Sequence, residues 1–262
     1  MANQLKMKVG DQFKSVVFEN HNDLLSLDAN KKQFLSTQIH SILVDCWGKF
    51  HEEFIERHVL AGNRLIMARV DDQCIGFCVL SFKNICGVDV HYVEFLAVKK
   101  AFQRSAVGPR LFYLSILEDI KKNFLRLLYK PLDIMFITPS MRALAQMARF
   151  ASFIYPNPCF AGPDGNVPQA DELTWKMAQE LIKISDKPNR KIYREGLVIE
   201  GSYADTPWLV YGPEDAPSTN DSQMKRFAKR YLGYHNKEDK ELVVRAHITL
   251  ASIIKYEFLY SR

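Results

Sequence analysis

The sequence predicts an α/β (α+β) fold, a mixed central sheet flanked by helices with an elaborated C-terminal region. Three observations predict it. Short runs of β-branched and apolar residues alternate with stretches in which apolar side chains recur every three or four positions. Three of the short runs, at 64–70, 74–82 and 88–98, follow one another through brief turns, as in an antiparallel meander. The third passes through a short basic turn into an apolar helix.

Taken in order, residues 13–19 form a first strand, closed by Asn20-His21-Asn22-Asp23. Leu35, Ile39, Ile42, Leu43, Cys46, Trp47, Phe50 and Phe54 then recur at helical spacing over 31–58, with a break expected around Gly48. His40, His51 and His58 lie in this stretch without an i, i+4 ligand partner, so they read as ordinary helix residues. After the meander, helices are expected from Pro109 to about Leu128 and over 141–153, with a short strand at 132–137 between them. Further on, the pattern predicts a helix over 170–184, a strand over 191–200 and a long Gly/Pro/Ser-rich loop over 201–220. A basic helix over 221–232 and a closing strand over 242–254 complete the chain. The charges of that helix read as a solvated face rather than an acidic-partner patch.

Composition narrows the function. The chain has 262 residues, 47% of them hydrophobic, enough for one large domain with ample core. No apolar run approaches the ~18 residues of a membrane span, and the first residues lack the apolar stretch of a secretory signal. A cytoplasmic protein with no membrane partner is therefore expected. The net charge of +5 is too small and too dispersed to argue for nucleic acid. Five cysteines, mostly in apolar settings and without Cys-x-x-Cys spacing, read as reduced structural residues, and no metal is expected.

The 88–98 strand carries apolar residues in both alternating sets, Tyr92, Leu96 and Val98 against Val93, Phe95 and Ala97, and so reads as buried on two faces. Glu94 stands out there, because an ionised carboxylate in such a strand is costly unless paired, hydrogen-bonded or proton-accepting. Next comes Gln103-Arg104-Ser105-Ala106-Val107-Gly108, small residues whose successive N–H groups suit an anion beside a helix start. The helix is expected to begin immediately after Gly108, with Pro109 at its first position.

These residues resemble the GNAT acetyltransferase superfamily, whose signature is Arg/Gln-x-x-Gly-x-Gly/Ala after an apolar strand. Leu96-Ala97-Val98 and Gln103-x-x-Ala106-x-Gly108 occupy those places, with alanine where glycine is usual at 106 and Pro109 removing one neighbouring amide. The order of elements over residues 10–155 follows the same family. The resemblance implies a single domain over 1–262, with a core at 10–155 and residues 156–262 as an extension completing the sheet. It further implies acetyl-CoA as co-substrate, its pyrophosphate on the amides of Arg104, Ser105, Ala106, Val107 and Gly108, with Gln103 in the same loop. Leu96, Ala97 and Val98 would lie along the pantetheine and thioester.

Acetyl transfer to an amine needs a base, a polarised carbonyl and a proton for the leaving thiolate. Glu94 is the candidate base, since desolvation raises a carboxylate's pKa; the alternative is a glutamate satisfied by a basic residue across the sheet. By resemblance, backbone N–H near Val98 polarises the carbonyl. The family's usual acid, a tyrosine in the fourth helix, is replaced by Met147, which leaves Tyr155, another tyrosine or water to take the role. No cysteine sits in a convincing nucleophile setting, so direct transfer in a ternary complex is expected, to a small-molecule or protein amine. The alternatives are a non-catalytic GNAT-fold module binding CoA or a protein, or an acyl-chain synthase in which 31–58 lines a tunnel.

Overall fold

The chain opens one strand earlier than the sequence predicts, because Leu5 and Met7 alternate with lysines that mask a half-buried edge strand. The computed structural model describes residues 3–9, 12–48, 52–103, 105–185, 189–202 and 222–260. The chain divides into two units: Met1–Phe82 with His91–Leu127 and Leu259–Arg262, and Lys83–Val90 with Leu128–Phe258.

The first unit holds β1 (Asn3–Val9), β2 (Gln12–Asn22), α1 (Ala29–Trp47), α2 (Glu52–His58) and β3 (Arg64–Val70). It also holds most of β4 (Gln73–Ile85) and β5 (Val88–Val98), and all of α3 (Val107–Lys122). The strands neighbour one another in chain order, and β1–β2, β2–β3 and β3–β4 pair antiparallel. The Asp28 carboxylate accepts the Lys31 N–H at 2.8 Å to start α1, and Gly48, at φ +91°, ends it where the break was expected. Leu35, Ile39, Ile42 and Leu43 of α1 pack with Ile55 of α2 and Val59 just after it onto Leu65, Met67, Phe77 and Val79 of the sheet. Phe50 and His51 lie outside the described residues, and the His58 ring lies against Phe54.

Helix α3 covers the opposite face. The Cys78 thiol lies 3.7 Å from the Ser115 hydroxyl, and Arg64 donates to the Ser115 carbonyl and to Asp119 Oδ2 at 2.6 Å. Arg64 is almost wholly buried, and its remaining donors reach Asn22 Oδ1 at 3.0 Å and Glu118 Oε2 at 3.4 Å. His91 Nε2 adds a second contact to Asp119, at 3.4 Å. Burial pushes the Asp119 pKa up, but hydrogen bonds from His91 and Arg64 and the Arg64 charge outweigh it and hold the carboxyl at about 2. The predicted limits of α3 need correction. It begins at Val107, two residues early, and stops at Lys122, where both the backbone N–H and the side-chain amide of Asn123 donate to the Asp119 carbonyl.

The second unit contains β6 (Leu132–Thr138), α4 (Met141–Phe150), β7 (Phe153–Tyr155), α5 (Glu172–Ile184), β8 (Lys191–Tyr193) and β9 (Val198–Glu200). It continues with α6 (Ser222–Tyr231), β10 (Lys240–Ile248) and α7 (Leu250–Tyr260), whose last residues belong to the first unit. Strand β10 pairs antiparallel with β6 on one side and with β9 and β7 on the other. The closing strand thus exists, but it ends at Ile248 rather than 254. Thr249 and Ser252 cap α7 reciprocally, each side-chain oxygen accepting the other's backbone N–H, at 3.2 and 3.3 Å. The expected 191–200 strand is a hairpin, β8 and β9, folded at Gly196 with φ +69°. The 201–220 loop lies mostly outside the described residues.

Two outcomes are expected. Asp119→Ala leaves Arg64 buried without its main counter-charge and should cost about 3 kcal/mol or more in denaturant unfolding. Because the folded Asp119 pKa is depressed, its stabilisation is present above the ordinary carboxylate pKa. It is lost between about pH 4 and pH 2, so the difference between wild type and variant should narrow across that window. At Gly76 an added Cβ would sit 2.9 Å from the Ala97 carbonyl oxygen and 3.1 Å from Val98 and Leu111 side-chain carbons. Gly76→Ala should therefore lower stability by about 1–3 kcal/mol by prising β4 from β5, read by thermal melting.

Candidate active site at the end of strand β5

Strand β5 does not keep one regular alternation. His91 reaches Asp119 and packs edge-on against Phe82, with ring centroids 5.2 Å apart, on the α3 side of the sheet. Phe95, four residues on, belongs to the opposite face: its ring stacks on Phe77 at 6.0 Å and meets Trp47 and Phe54 edge-on, each at 5.6 Å. Residues an even number apart share a face in a regular strand, so the alternation slips once between His91 and Phe95, as a bulge does. Beyond the slip, Leu96 and Val98 face α3, where they are the nearest side chains to Gly108.

Burial also departs from the two-faced expectation. Val90, Tyr92, Ala97 and Val98 are buried, whereas Val93, Glu94, Phe95 and Leu96 are half-buried. The half-buried stretch overlaps the slip, and Glu94 stands inside it. The desolvated glutamate expected from sequence is therefore partly open to solvent.

The end of β5 is clamped. The Val98 carbonyl accepts from the Cys46 thiol at 3.3 Å and from the Gln103 side-chain amide at 3.1 Å. Asp45 Oδ2 accepts the Lys100 N–H at 2.6 Å. The last turn of α1 thus holds the strand's exit. Sequence reasoning passed over Asp45 and Cys46 in this role; their signal was a polar pair at the end of an apolar helix stripe. Burial pushes the Cys46 and Cys74 thiols up to about 11 and Cys78 to about 12, so all three are neutral near pH 7 and none is a ready thiolate. Cys46, Cys74 and Cys78 lie in the apolar settings expected of most of the cysteines, Cys86 and Cys159 are exposed, and all five are free. Cys86, at φ +52°, forms with Gly87 the two-residue turn between β4 and β5.

The 103–108 turn follows at once. Gln103 is exposed, Ser105 and Ala106 are half-buried, and Val107 and Gly108 are buried; Arg104 lies outside the described residues. Ser105 Oγ donates to the Phe102 carbonyl at 2.6 Å and accepts the Val107 N–H at 3.3 Å, so one amide of the expected anion cradle already has a partner. Pro109 has none to give. Ala106 and Gly108 carry the other amides at the helix start. Ala106 has φ −75° and ψ 4°, which alanine adopts without strain, so the usual glycine is not needed there.

Tyr155, in the second unit, donates its hydroxyl to the Pro168 carbonyl at 2.8 Å and accepts the Gly196 N–H at 3.2 Å. Burial pushes its pKa up to about 12. Those bonds tie β7 to the 168 and 196 segments. Met147, where the resemblance leads one to expect the acid, is buried in α4.

Residues 36–126 match the model of the acetyltransferase (GNAT) family. No curated protein matches the chain. Solved structures similar to the chain include the GCN5-related glucosamine N-acetyltransferase region of a fungal multi-domain GH3 β-N-acetylglucosaminidase. Identity there is 14%, over 72% of this chain and 19% of that one, with a TM-score of 0.38. The chain thus spans about a fifth of that protein's length. The catalytic domain of Tetrahymena GCN5 histone acetyltransferase in complex with coenzyme A is 15% identical over 50% of this chain and 73% of that one, TM-score 0.35. Arabidopsis thaliana Naa50, in complex with a bisubstrate analogue, is 12% identical over 52% and 85%, TM-score 0.35. The stretch running from α1 through the 103–108 turn and α3 carries the sequence pattern of the GNAT acetyltransferase family.

Proposed function

We propose that the chain transfers an acetyl group from acetyl-CoA to an amine. The observation that carries this reading is the coincidence, inside the family-matched segment, of a half-exposed slipped strand with the helix-start turn that follows it. The residues present fit the co-substrate: half-buried small side chains at Ser105 and Ala106 leave room beside a helix start, whose N–H groups and dipole favour a diphosphate. Ala106 and Gly108 would donate to it, Gln103 and Arg104 would flank it, and Leu96, Ala97 and Val98 would line the pantetheine arm. Bound there, acetyl-CoA supplies an activated acyl thioester.

Glu94 takes the proton of the amine, directly or through water, from its partly open position beside the slip; as the new N–C bond forms the thioester C–S bond breaks, and Tyr155, another tyrosine or water returns a proton to the departing CoA thiolate. Backbone N–H at or near Val98 polarises the acyl carbonyl. Neutral buried thiols favour direct transfer in a ternary complex, and suit a reducing, cytoplasmic setting. The domain core is residues 10–155, with 156–262 as its extension. The acceptor is a small-molecule or protein amine. A non-catalytic CoA-binding module is the second reading, favoured by Met147 and by the backbone bonds that occupy the Tyr155 hydroxyl.

Titration calorimetry with acetyl-CoA, followed by thiol release over an amine panel, separates the two: binding without turnover supports the module, and absence of binding defeats both. Ala106→Glu places a carboxylate at a half-buried helix start and should weaken acetyl-CoA binding at least about tenfold while leaving the fold intact. Unchanged affinity would show that the turn is not the cradle. Glu94→Gln should lower kcat by about 100-fold with acetyl-CoA affinity preserved, the size of a lost general base. Tyr155→Phe distinguishes an acid from a staple, since a staple lowers Tm and an acid lowers kcat at unchanged Tm.

A further inference from the structure

The segment after α3 was expected to continue the helix to Leu128, which would have turned part of it inward. Instead α3 stops at Lys122, and residues 121–130, KKNFLRLLYK, face outward almost throughout. Phe124 is 49% exposed, Leu125 73%, Leu128 64% and Tyr129 81%. Single exposed apolar residues are ordinary, but four large ones within six positions are not. Nor is this a frayed end. Asn123 is tied to the Asp119 carbonyl, Leu127 N–H donates to the Asn123 carbonyl at 3.0 Å, and the Leu127 side chain is buried at 3% exposure. Leu127 anchors the segment while its neighbours point away from the protein.

Charge identifies the occupant. Lys121, Lys122, Arg126 and Lys130 are interleaved with the apolar residues, and the ten positions contain no acid. The α3 dipole accounts for lysines in its last turn, but not for Lys130 or the aromatic pair. A second copy docking face to face would set four cations against four, which disfavours self-association through this surface. Cations interleaved with Phe, Leu and Tyr are the composition that inserts into an anionic lipid surface: apolar side chains enter the headgroup boundary, tyrosine sits at the interface and the cations meet the headgroups. We propose that residues 121–130 form a peripheral docking site for a bilayer containing anionic phospholipid, independently of the transferase reading. It lies on the surface rather than across it, since no described helix is long and apolar enough to cross a membrane.

The test is co-sedimentation of the full chain with phosphatidylcholine vesicles, with and without phosphatidylserine. Binding is expected only to the phosphatidylserine vesicles and should fall steeply with salt. Leu125→Ser with Tyr129→Ser should weaken it by at least about tenfold. Lys121→Glu with Lys122→Glu should weaken it by about 100-fold or more. Each pair alters exposed side chains; the serine pair should leave Tm unmoved, while the glutamate pair, which sets two acids at the C-terminal end of the α3 dipole, should lower it by only a few degrees with the fold retained, and each checks the other. The proposal is overturned by absence of sedimentation with phosphatidylserine vesicles, as an acidic protein partner would give, or by equal binding to neutral vesicles. Full binding by the serine pair also overturns it, since the dispersed surface charge would then be responsible.

Discussion

The slip in alternation between His91 and Phe95 is the constraint on which the layout of the first unit depends. A regular strand would put both residues on one face. Then either His91 would leave the Asp119 carboxylate, or Phe95 would leave Phe77, Trp47 and Phe54. Burying a phenylalanine is worth about 1.5–3 kcal/mol, and the charge cluster under α3 contributes on the same scale. One inserted residue lets β5 satisfy both faces. It also takes a residue out of the ladder, leaving local backbone groups for another partner. The half-exposure of Val93 to Leu96 accompanies the same event that turns the Phe95 ring against the core.

Each unit has met the problem of a buried arginine in the same way. In the first, Arg64 distributes its donors over Asp119, Ser115, Asn22 and Glu118. In the second, Arg245 donates to Asp133 at 2.8 and 2.9 Å and to Thr174 Oγ1 at 2.9 Å, while Thr174 donates in turn to the N-cap Asp171 at 2.6 Å. A guanidinium has five N–H groups, and leaving them unpaired in a core costs more than any apolar replacement would gain. These arginines fix which helix packs on which strand: α3 on β3, and the start of α5 on β10. His91 and His247 each add a contact to the carboxylate partner, at 3.4 and 3.1 Å.

Much of the fold was legible because its signals are local. The strands at 64–70 and 88–98 carry β-branched runs between turn residues, and α1 carries its cap and stripe in sequence. What failed was decided by tertiary context. Strand β1 alternates with lysine and looks polar, yet Met7 is buried against the sheet. The end of α3 was unreadable because apolar spacing continues past Asn123; the helix stops where the Asn123 backbone leaves helical dihedrals, at φ −112° and ψ 21°, with its side-chain amide on the Asp119 carbonyl. Thr249 and Ser252 were a readable cap, hidden inside a run that favours strand on composition. At the candidate site the turn and Glu94 were visible by residue type. The slip was not, since it is specified jointly by Asp119 and the aromatic residues Trp47 and Phe77, which lie far from β5 in sequence.

The departures from the family's turn pattern are intelligible once the helix start is placed at Val107. A glycine in such a turn is needed where φ is positive or where a side chain would block the ligand; at φ −75° the first reason is absent at position 106, and a methyl group is the smallest possible test of the second. Pro109, expected to remove an amide beside the cradle, sits at the third helical position, where the N–H has no intrahelical partner in any residue. Its loss therefore leaves the helix ladder intact. Ser105 is the residue that limits the turn, because its hydroxyl already accepts the Val107 N–H. An anion at Ala106 and Gly108 can leave that bond in place, whereas one that also takes Val107 must displace the serine, and the hydrogen bond it breaks, worth about 1 kcal/mol, is subtracted from its binding energy.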